Sequence, residues 1–328
     1  MIEPTTFEPE RTSAESQWAI VWRRFRRHRM AMISLAILIL IFLASILAPY
    51  VTPFPDDVSD YNLERRFVTP MGTNPDGELH ILGTDHLGRD YLTRLLYAAR
   101  VSLTIAVSVS AVSALIGLVL GLLAGYFRGW VDVIITRTLE FVSTFPLLII
   151  LLILMAILLE TGDRLPIPAL LVDAVAWLTA IAEKEAQKVA LVIIGLSLLL
   201  WTPTARLMRG MVLSVREQPY IEASRALGAS HLRLIWRHVF PNAYPPLIVD
   251  FTLNLNTILV LEAALSYLGF GVQDPTPTWG NMLAFAQTYM FTNWWMPLVP
   301  GLPILLTSLA INYIGDGLRD ALDPRLKM

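Results

Sequence analysis

The sequence predicts an all-α polytopic membrane protein with six transmembrane helices. Three observations carry that prediction. The 328-residue chain is 55% hydrophobic and only 16% charged, with a mean hydropathy of +0.57, against about 25% charged residues in a typical soluble domain. Its apolar runs are long enough to cross a hydrocarbon core of ~30 Å. Six crossings would also sort its basic residues unevenly, seventeen to one side and eight to the other, which is the asymmetry of positive-inside loops. A net charge of −2 leaves no electrostatic footprint for nucleic acid. The absence of cysteine excludes disulfides, thiolate metal ligands and cysteine nucleophiles. His28, His80, His86, His231 and His238 lack the spacing of metal ligands, and no metal site is expected.

Residues 1–29 read as a cytoplasmic N-terminal segment, polar at first and then carrying Arg23, Arg24, Arg26, Arg27 and Arg29 beside Trp18 and Trp22. The first span covers 30–48. A cleaved signal peptide would have a shorter apolar region, and Pro49 directly after Ala48 makes a poor cleavage site. Residues 49–97 form an external loop rich in proline, aspartate and glycine. After Gly88, the apolar Tyr91, Leu92, Leu95 and Leu96 oppose Arg89, Asp90 and Arg94, a pattern that predicts an amphipathic interfacial helix. Gly83, Gly88, Thr84 and Asp85 lack the order and the lysine of a phosphate-binding loop.

A five-helix core is expected over 98–315. In the second span, 98–126, Gly117, Gly121 and Gly125 recur every four residues, a small-xxx-small stripe that lets another helix backbone approach closely. Ser102 and Ser113 share a face of that span. A short loop is predicted over 127–138. The third span, 139–159, is expected to kink at Pro146 and the fourth, 188–213, near Pro203. Between them, 169–182 is apolar but too short to cross. Residues 161–187 therefore read as an external insertion with an interfacial or re-entrant segment. The fifth span covers 243–270, followed by an external loop rich in proline and tryptophan. The sixth covers 297–314, and 316–328 is a polar cytoplasmic tail.

Charges at the bilayer centre cost roughly 2.5–3.5 kcal/mol on insertion scales, so polar residues there need a reason. On the fifth span Asp250, Asn254 and Thr257 fall at i, i+4 and i+7, one helical face. Asn256 and Glu262 lie off it. Two readings stand for this group. Asp250, Asn254, Thr257 and Glu262 line a hydrated translocation path, or they form interhelical hydrogen bonds that fix packing. Asn312 in the sixth span admits the same two readings. No catalytic set emerges: neither G-x-S-x-G nor H-E-x-x-H occurs, and no nucleotide-binding loop is present.

One polar stretch interrupts the apolar core at 214–242. Its centre, REQPYIEASRALGASHLRLIWRHVFP, occupies 216–241. Pro219 suits the first turn of a helix, and the carboxylate of Glu222 suits the positive helix end. Gly228 can end that helix as a C′ residue, and Ser230 can cap a second helix that runs into Pro241. A solvated loop with positive-inside arginines would use the same charges. So would a short helix that carries force between the membrane part and a soluble partner.

The spacing of Glu222-Ala223-Ser224, Gly228 and Pro241 resembles the EAA loop of ATP-binding cassette importer permeases, with departures at Ser224, His238 and Phe240. LGTDHLGRD from Leu82, EAALSYLGFGVQDPTPTWGNML from Glu262 and NYIGDGLRDALDPR from Asn312 occur in order around it. Together they are similar to the C-type permease subunit of oligopeptide, dipeptide and nickel importers over nearly the whole chain; the insertion at 161–187 departs from that family. The resemblance implies a type I importer permease fold and a transport subunit without enzymatic activity of its own. It implies a coupling helix, with Glu222, Ala223, Ser224, Arg225, Gly228 and Ala229, seated on an ATPase. The implied partners are a homologous second permease chain, two ATPase subunits that hold ATP and Mg, an extracytoplasmic substrate-binding protein, and membrane lipid. The implied location is the plasma (inner) membrane of a bacterium or archaeon, with both termini cytoplasmic. The implied cargo is di- or oligopeptides, with nickel or oligosaccharides as alternatives. A motor-independent secondary transporter is the main rival, but it would call for inverted repeats or broken helices around a midplane ion site, and no convincing internal repeat is visible.

Overall fold

The computed structural model describes residues 17–58, 60–162 and 165–322. Arg11, Arg164, Arg325 and Lys327, which entered the charge asymmetry above, lie outside the described residues. An amphipathic helix α1 (Gln17–Arg27) precedes α2 (Arg29–Val51). His28 between them is extended, and its Nδ1 accepts the Ala31 backbone N–H at 3.1 Å. α2 is the first span and runs past the expected limit, with Pro49 inside its last turn. The external segment that follows carries a short antiparallel hairpin, β1 (Gly72–Thr73) with β2 (Leu79–His80).

The central element is α3 (Tyr91–Phe127), an unbroken 37-residue helix. At 1.5 Å per residue it is about 55 Å long, so its ends extend beyond a ~30 Å hydrocarbon core. The interfacial helix expected after Gly88 is the first turns of α3. Nothing between Tyr91 and Ala98 breaks a helix, and Asp90 caps the N-terminus by accepting the Thr93 N–H at 2.7 Å. The charges that suggested a water-facing side, Arg89, Asp90 and Arg94, are buried. Arg89 and Arg94 share a partner, Asp274, that lies about 180 positions away, where helical periodicity cannot register it.

The third span also differs from expectation. Residues 127–138 are mostly helical, in α4 (Gly129–Thr144), and α5 (Leu147–Thr161) follows at 89° to it. Pro146 does more than kink. It forces Phe145 into extended backbone (φ −89°, ψ 142°), because a residue before proline is driven out of the α region. α6 (Ala169–Thr179) is the short apolar helix of the insertion. α7 (Glu183–Leu200) and α8 (Thr202–Arg216) form one crossing bent by 41° at the Trp201–Pro203 step.

Past α8 come α9 (Pro219–Ala226) and α10 (His231–Leu234). Pro241 does not stop the chain. A π-turn over Ile235–Val239 leads into α11 (Phe240–Ala243), with Pro241 in its first turn, where a missing N–H costs least. α12 (Pro245–Tyr267) is the fifth crossing. α13 (Trp279–Thr288) is a short external helix with a capping box between Thr278 and Asn281. The last crossing, α14 (Leu298–Leu322), runs two turns further than expected and absorbs the start of the predicted tail. Gly315 and Gly317 let it pack on Leu253 of α12 and on Ala31 and Phe25.

The chain is thus all-α and polytopic. Four helices, α2, α3, α12 and α14, are each long and apolar enough to cross a membrane, and the bent pairs α4–α5 and α7–α8 bring the crossings to six. α3 sits at the centre and packs against α2, α7, α8 and α12. Its Val101, Ile105 and Val109 are fully buried with Leu196, Ile258 and Leu259.

Candidate functional site

The polar segment expected to form a coupling helix begins where α8 ends. Gln218 is extended (φ −74°, ψ 141°), and Pro219 opens α9. One side chain anchors this helix: Ile221 is fully buried among Met208, Val212, Leu234 and Val239. Burying one such side chain contributes roughly 1.5–3 kcal/mol. Glu222, Ala223 and Arg225 are exposed, and the half-buried Ser224 donates its hydroxyl to the Tyr220 carbonyl at 2.8 Å. Gly228 stands at φ +83° with its N–H on the Arg225 carbonyl (2.9 Å), and the Ala229 N–H reaches the Ser224 carbonyl (3.2 Å). This is a left-handed helix stop of the kind glycine adopts without a Cβ penalty. Ser230 then accepts the Arg233 N–H and starts α10.

Three contacts that sequence reasoning missed tie this segment to the end of α3. The Tyr126 hydroxyl pairs with His231 Nδ1 at 2.8 Å. Arg216 donates to the Tyr126 carbonyl, and its guanidinium lies 5.6 Å from the Tyr126 ring centroid. The outer surface keeps large apolar groups in the open: Leu227 is 89% exposed, Leu232 70% and Trp236 57%. Large exposed apolar groups of this kind are compatible with contact to another protein or to the membrane.

The glycine stripe sets the spacing between α3 and α8. A Cβ on Gly117 would come within 2.6 Å of Thr204 Cβ, on Gly121 within 2.6 Å of Met208 Cβ, and on Gly125 within 2.8 Å of Val212 Cβ. Real Cβ atoms do not come so close to packed carbon. The two helix backbones are therefore closely packed along this stripe, and the polar segment follows directly from the end of α8. Beside it, Asp132 of α4 accepts from Arg209 of α8 at 2.5 and 2.7 Å.

The four polar residues proposed on the fifth span separate in space. Asp250 and Asn254 come together with Thr204 of α8. Asp250 Oδ2 accepts from the Thr204 hydroxyl at 2.6 Å and from Asn254 Nδ2 at 3.0 Å. Thr257 is on the exposed face and donates only to the Leu253 carbonyl of its own helix. Glu262 is the correction. It is fully buried and cannot line a path in this conformation. Ser266 and Ser102 donate to its two oxygens at 2.7 and 3.2 Å. These serines in turn accept the backbone N–H groups of Val272 and Trp279, so Glu262 anchors the loop between α12 and α13. The Ser102 contact crosses 160 positions, which no local pattern reveals. Asn256 donates to Asn312 at 3.2 Å and links α12 to α14.

At the opposite end of the spans from α9, the end expected to be external, lies a second polar cluster. Arg89 bridges Asp85 and Asp274, at 2.8 Å to each. Arg94 donates to Asp274 at 2.9 Å and to the Val58 carbonyl at 2.7 Å. Burial disfavours the Asp274 carboxylate, but Arg94 and Arg89 outweigh it and hold its pKa below the usual range. Burial lowers the pKa of neighbouring His86, whose ring packs on Phe285 and Tyr289. Gly88 sits in a turn (φ +82°) where a Cβ would collide with the Asn62 carbonyl.

Comparison with known proteins adds the family. Residues 117–328 match the binding-protein-dependent transport system inner membrane component, and residues 16–70 match the N-terminal TM domain of oligopeptide transport permease C. The chain is 37% identical over 93% of its length to the di/tripeptide transport system permease protein DppC of Pseudomonas aeruginosa, covering 91% of that protein. It is 33% identical over 99% of its length to the dipeptide transport system permease protein DppC of Alkalihalophilus pseudofirmus, covering 96%. It is 36% identical over 94% of its length to the glutathione transport system permease protein GsiD of Escherichia coli, covering 91%. A match across most of the chain, with relatives alike from end to end, leads to one conclusion: this chain belongs to the family of binding-protein-dependent transport system inner membrane components.

Proposed function

We propose that this membrane-spanning permease forms half of the translocation path of an ATP-driven importer of short peptides. The carrying observation is the coupling segment, in which a single buried anchor, Ile221, holds a short helix that ends at Gly228 and exposes Leu227. Such a helix is built to seat in another protein. In this reading Glu222, Ala223, Ser224, Arg225, Gly228 and Ala229 contact one of two ATPase subunits in the cytoplasm. ATP and Mg are held by those subunits. A homologous second permease chain supplies the other half of the path, and an extracytoplasmic binding protein delivers cargo. The chain sits in the inner membrane with both termini cytoplasmic.

Nucleotide binding closes the ATPase pair and pushes α9. The push passes to α8, and through the glycine stripe to α3, so the cytoplasmic half moves as a rigid body. ATP then acts as a ligand with different affinity for two states of the complex. Half-buried Asp250 and Asn254 of α12 are tied to this unit through the buried Thr204 of α8, placed to hydrate the path as it opens. The peptide cargo is supported by the di/tripeptide, dipeptide and glutathione permeases that resemble this chain.

The test is ATP hydrolysis by the complex drawn from native membranes through a tag on this chain. The binding protein is added with short peptides, nickel or oligosaccharides in turn. Peptide-specific stimulation is the expected result. Stimulation by nickel or oligosaccharide alone would replace the cargo, and the lack of any co-purifying ATPase would overturn the reading.

A further inference from the structure

We infer that α1 and the joint between α11 and α12 form a binding site for an anionic glycerophospholipid of the cytoplasmic leaflet. The inference rests on the orientation proposed above, which puts α1 on the cytoplasmic side. The extended backbone at His28 (φ −82°, ψ 94°) separates α1 from the first span, so α1 is an element of its own. Val21 and Phe25 face inward and pack with Ala31, Ile314, Leu318 and Ala321. With 3.6 residues per turn, Trp18 and Trp22 flank that packed face, and Arg23, Arg26 and Arg27 take the opposite side. Both tryptophans and these arginines are exposed. An apolar face, then tryptophan, then arginine is the order that a membrane–water interface imposes on a helix lying in it.

A second observation makes this a site as well as a surface. A cavity of about 480 Å³ opens between α1 and the α11–α12 joint. One wall carries Ile20, Val21 and Arg24, and the other Pro241, Tyr244 and Pro245. Trp18 closes one side, its ring 6.3 Å from that of Tyr244. The occupant that fits is half charged and half apolar. A phosphate can lie against Arg24 within the field of Arg23, Arg26, Arg27 and Arg29, while the first acyl methylenes lie on the prolines and Ile20. A basic cluster at the cytoplasmic surface draws anionic headgroups in preference to zwitterionic ones. The joint that such a lipid would brace is also the far end of the coupling segment, so headgroup charge acts on the element that receives the push from ATP.

The test reconstitutes the whole complex in nanodiscs of phosphatidylcholine mixed with phosphatidylglycerol and measures retained lipid by native mass spectrometry. Two variants are compared with the natural chain: Arg23→Gln/Arg24→Gln/Arg27→Gln, and the same three positions changed to lysine. The glutamine set leaves the basic majority on the cytoplasmic side, so insertion is preserved. The natural chain retains phosphatidylglycerol preferentially, the lysine set keeps that preference, and the glutamine set loses roughly fivefold in retention per charge removed. Equal retention in all three overturns the site. Loss of an ATPase subunit in place of lipid also overturns it, because the arginines then hold protein. A complex that shows cargo-stimulated hydrolysis without headgroup preference refutes the lipid site alone. Labelling of α1 from outside the cell refutes the orientation, and both readings with it.

Discussion

The two water-facing ends of this molecule are built in opposite ways. At the end that carries the N-terminus of α3, Arg89 and Arg94 are each 1% exposed and share the carboxylates of Asp85 and Asp274. Each of these four charges has a partner within the chain, and the cluster ties the segment before α3 to the loop after α12. At the other end, α9 and α10 keep Arg225, Arg233, Leu227 and Leu232 in the open and lean on Ile221, Leu234 and Val239. The first cluster is closed by partners within the chain. The second surface rests on its apolar anchors and leaves Leu227 and Leu232 exposed. In the proposed reading the first is an external frame and the second a cytoplasmic handle for an ATPase subunit.

The comparison breaks most sharply at Asp274. Asp274→Ala leaves two buried guanidinium groups sharing Asp85, and removal of one partner from a buried ion cluster costs about 3–5 kcal/mol. Thermal unfolding of the solubilised complex should show a large loss. Glu217→Ala, which removes the exposed partner of Arg128, should shift it by no more than about 0–1 kcal/mol.

A smaller effect is expected inside the membrane. Gly121→Val drives a side chain into Met208 Cβ and the Ala205 carbonyl, an overpacking cost of about 1–3 kcal/mol. Gly210→Ala on the facing helix meets nothing within 4 Å and should stabilise by up to about 1 kcal/mol, the difference in helix propensity. Opposite signs in the same melting experiment would establish that spacing, rather than glycine itself, is what the stripe requires.

Gly228→Val sharpens the other end. A β-branched residue held at φ +83° costs about 1–2 kcal/mol and tilts α9 against α10. Assembly should survive while ATP hydrolysis and cargo uptake separate. Unchanged uptake at unchanged hydrolysis would remove the corner from the coupling account.

The smallest effect is in pH. The folded-state pKa of Asp274 is lowered, because Arg94 and Arg89 outweigh its burial. Its contribution is therefore present above the unfolded value of ~3.9 and lost as pH falls through the folded one. Burial lowers the pKa of His86, so its contribution is complete above ~6.5 and declines below it. Melting temperature should be flat above neutrality, fall slightly in mild acid and fall steeply below about pH 4. His86→Phe should remove the first step and leave the second.

What was legible in the sequence was local. The stripe at Gly117, Gly121 and Gly125 repeats along one helix, and the Gly228 stop with the Ser230 cap lies within one short stretch, so both could be read from neighbouring residues. The position of the break at Pro146 was legible, but its 89° angle was not, because a proline marks where a helix ends without fixing the direction in which the next one leaves. Arg94 and Asp274 are 180 positions apart, as Ser102 and Glu262 are 160. A sequence shows such residues as charges in search of a reason. Only the fold shows that Arg94 closes the external end and that Glu262 anchors a loop where a path residue was expected.

The most direct measurement uses the absence of cysteine from the natural chain. Leu227→Cys, at the 89% exposed tip of the coupling segment, is compared with Tyr50→Cys, 85% exposed near the C-terminal end of α2. Each is treated with a short thiol cross-linker in native membranes. The account predicts that Leu227→Cys is joined to an ATPase subunit and that Tyr50→Cys is joined to none. An intact complex in which Leu227→Cys reaches no ATPase, or in which Tyr50→Cys does, would contradict it.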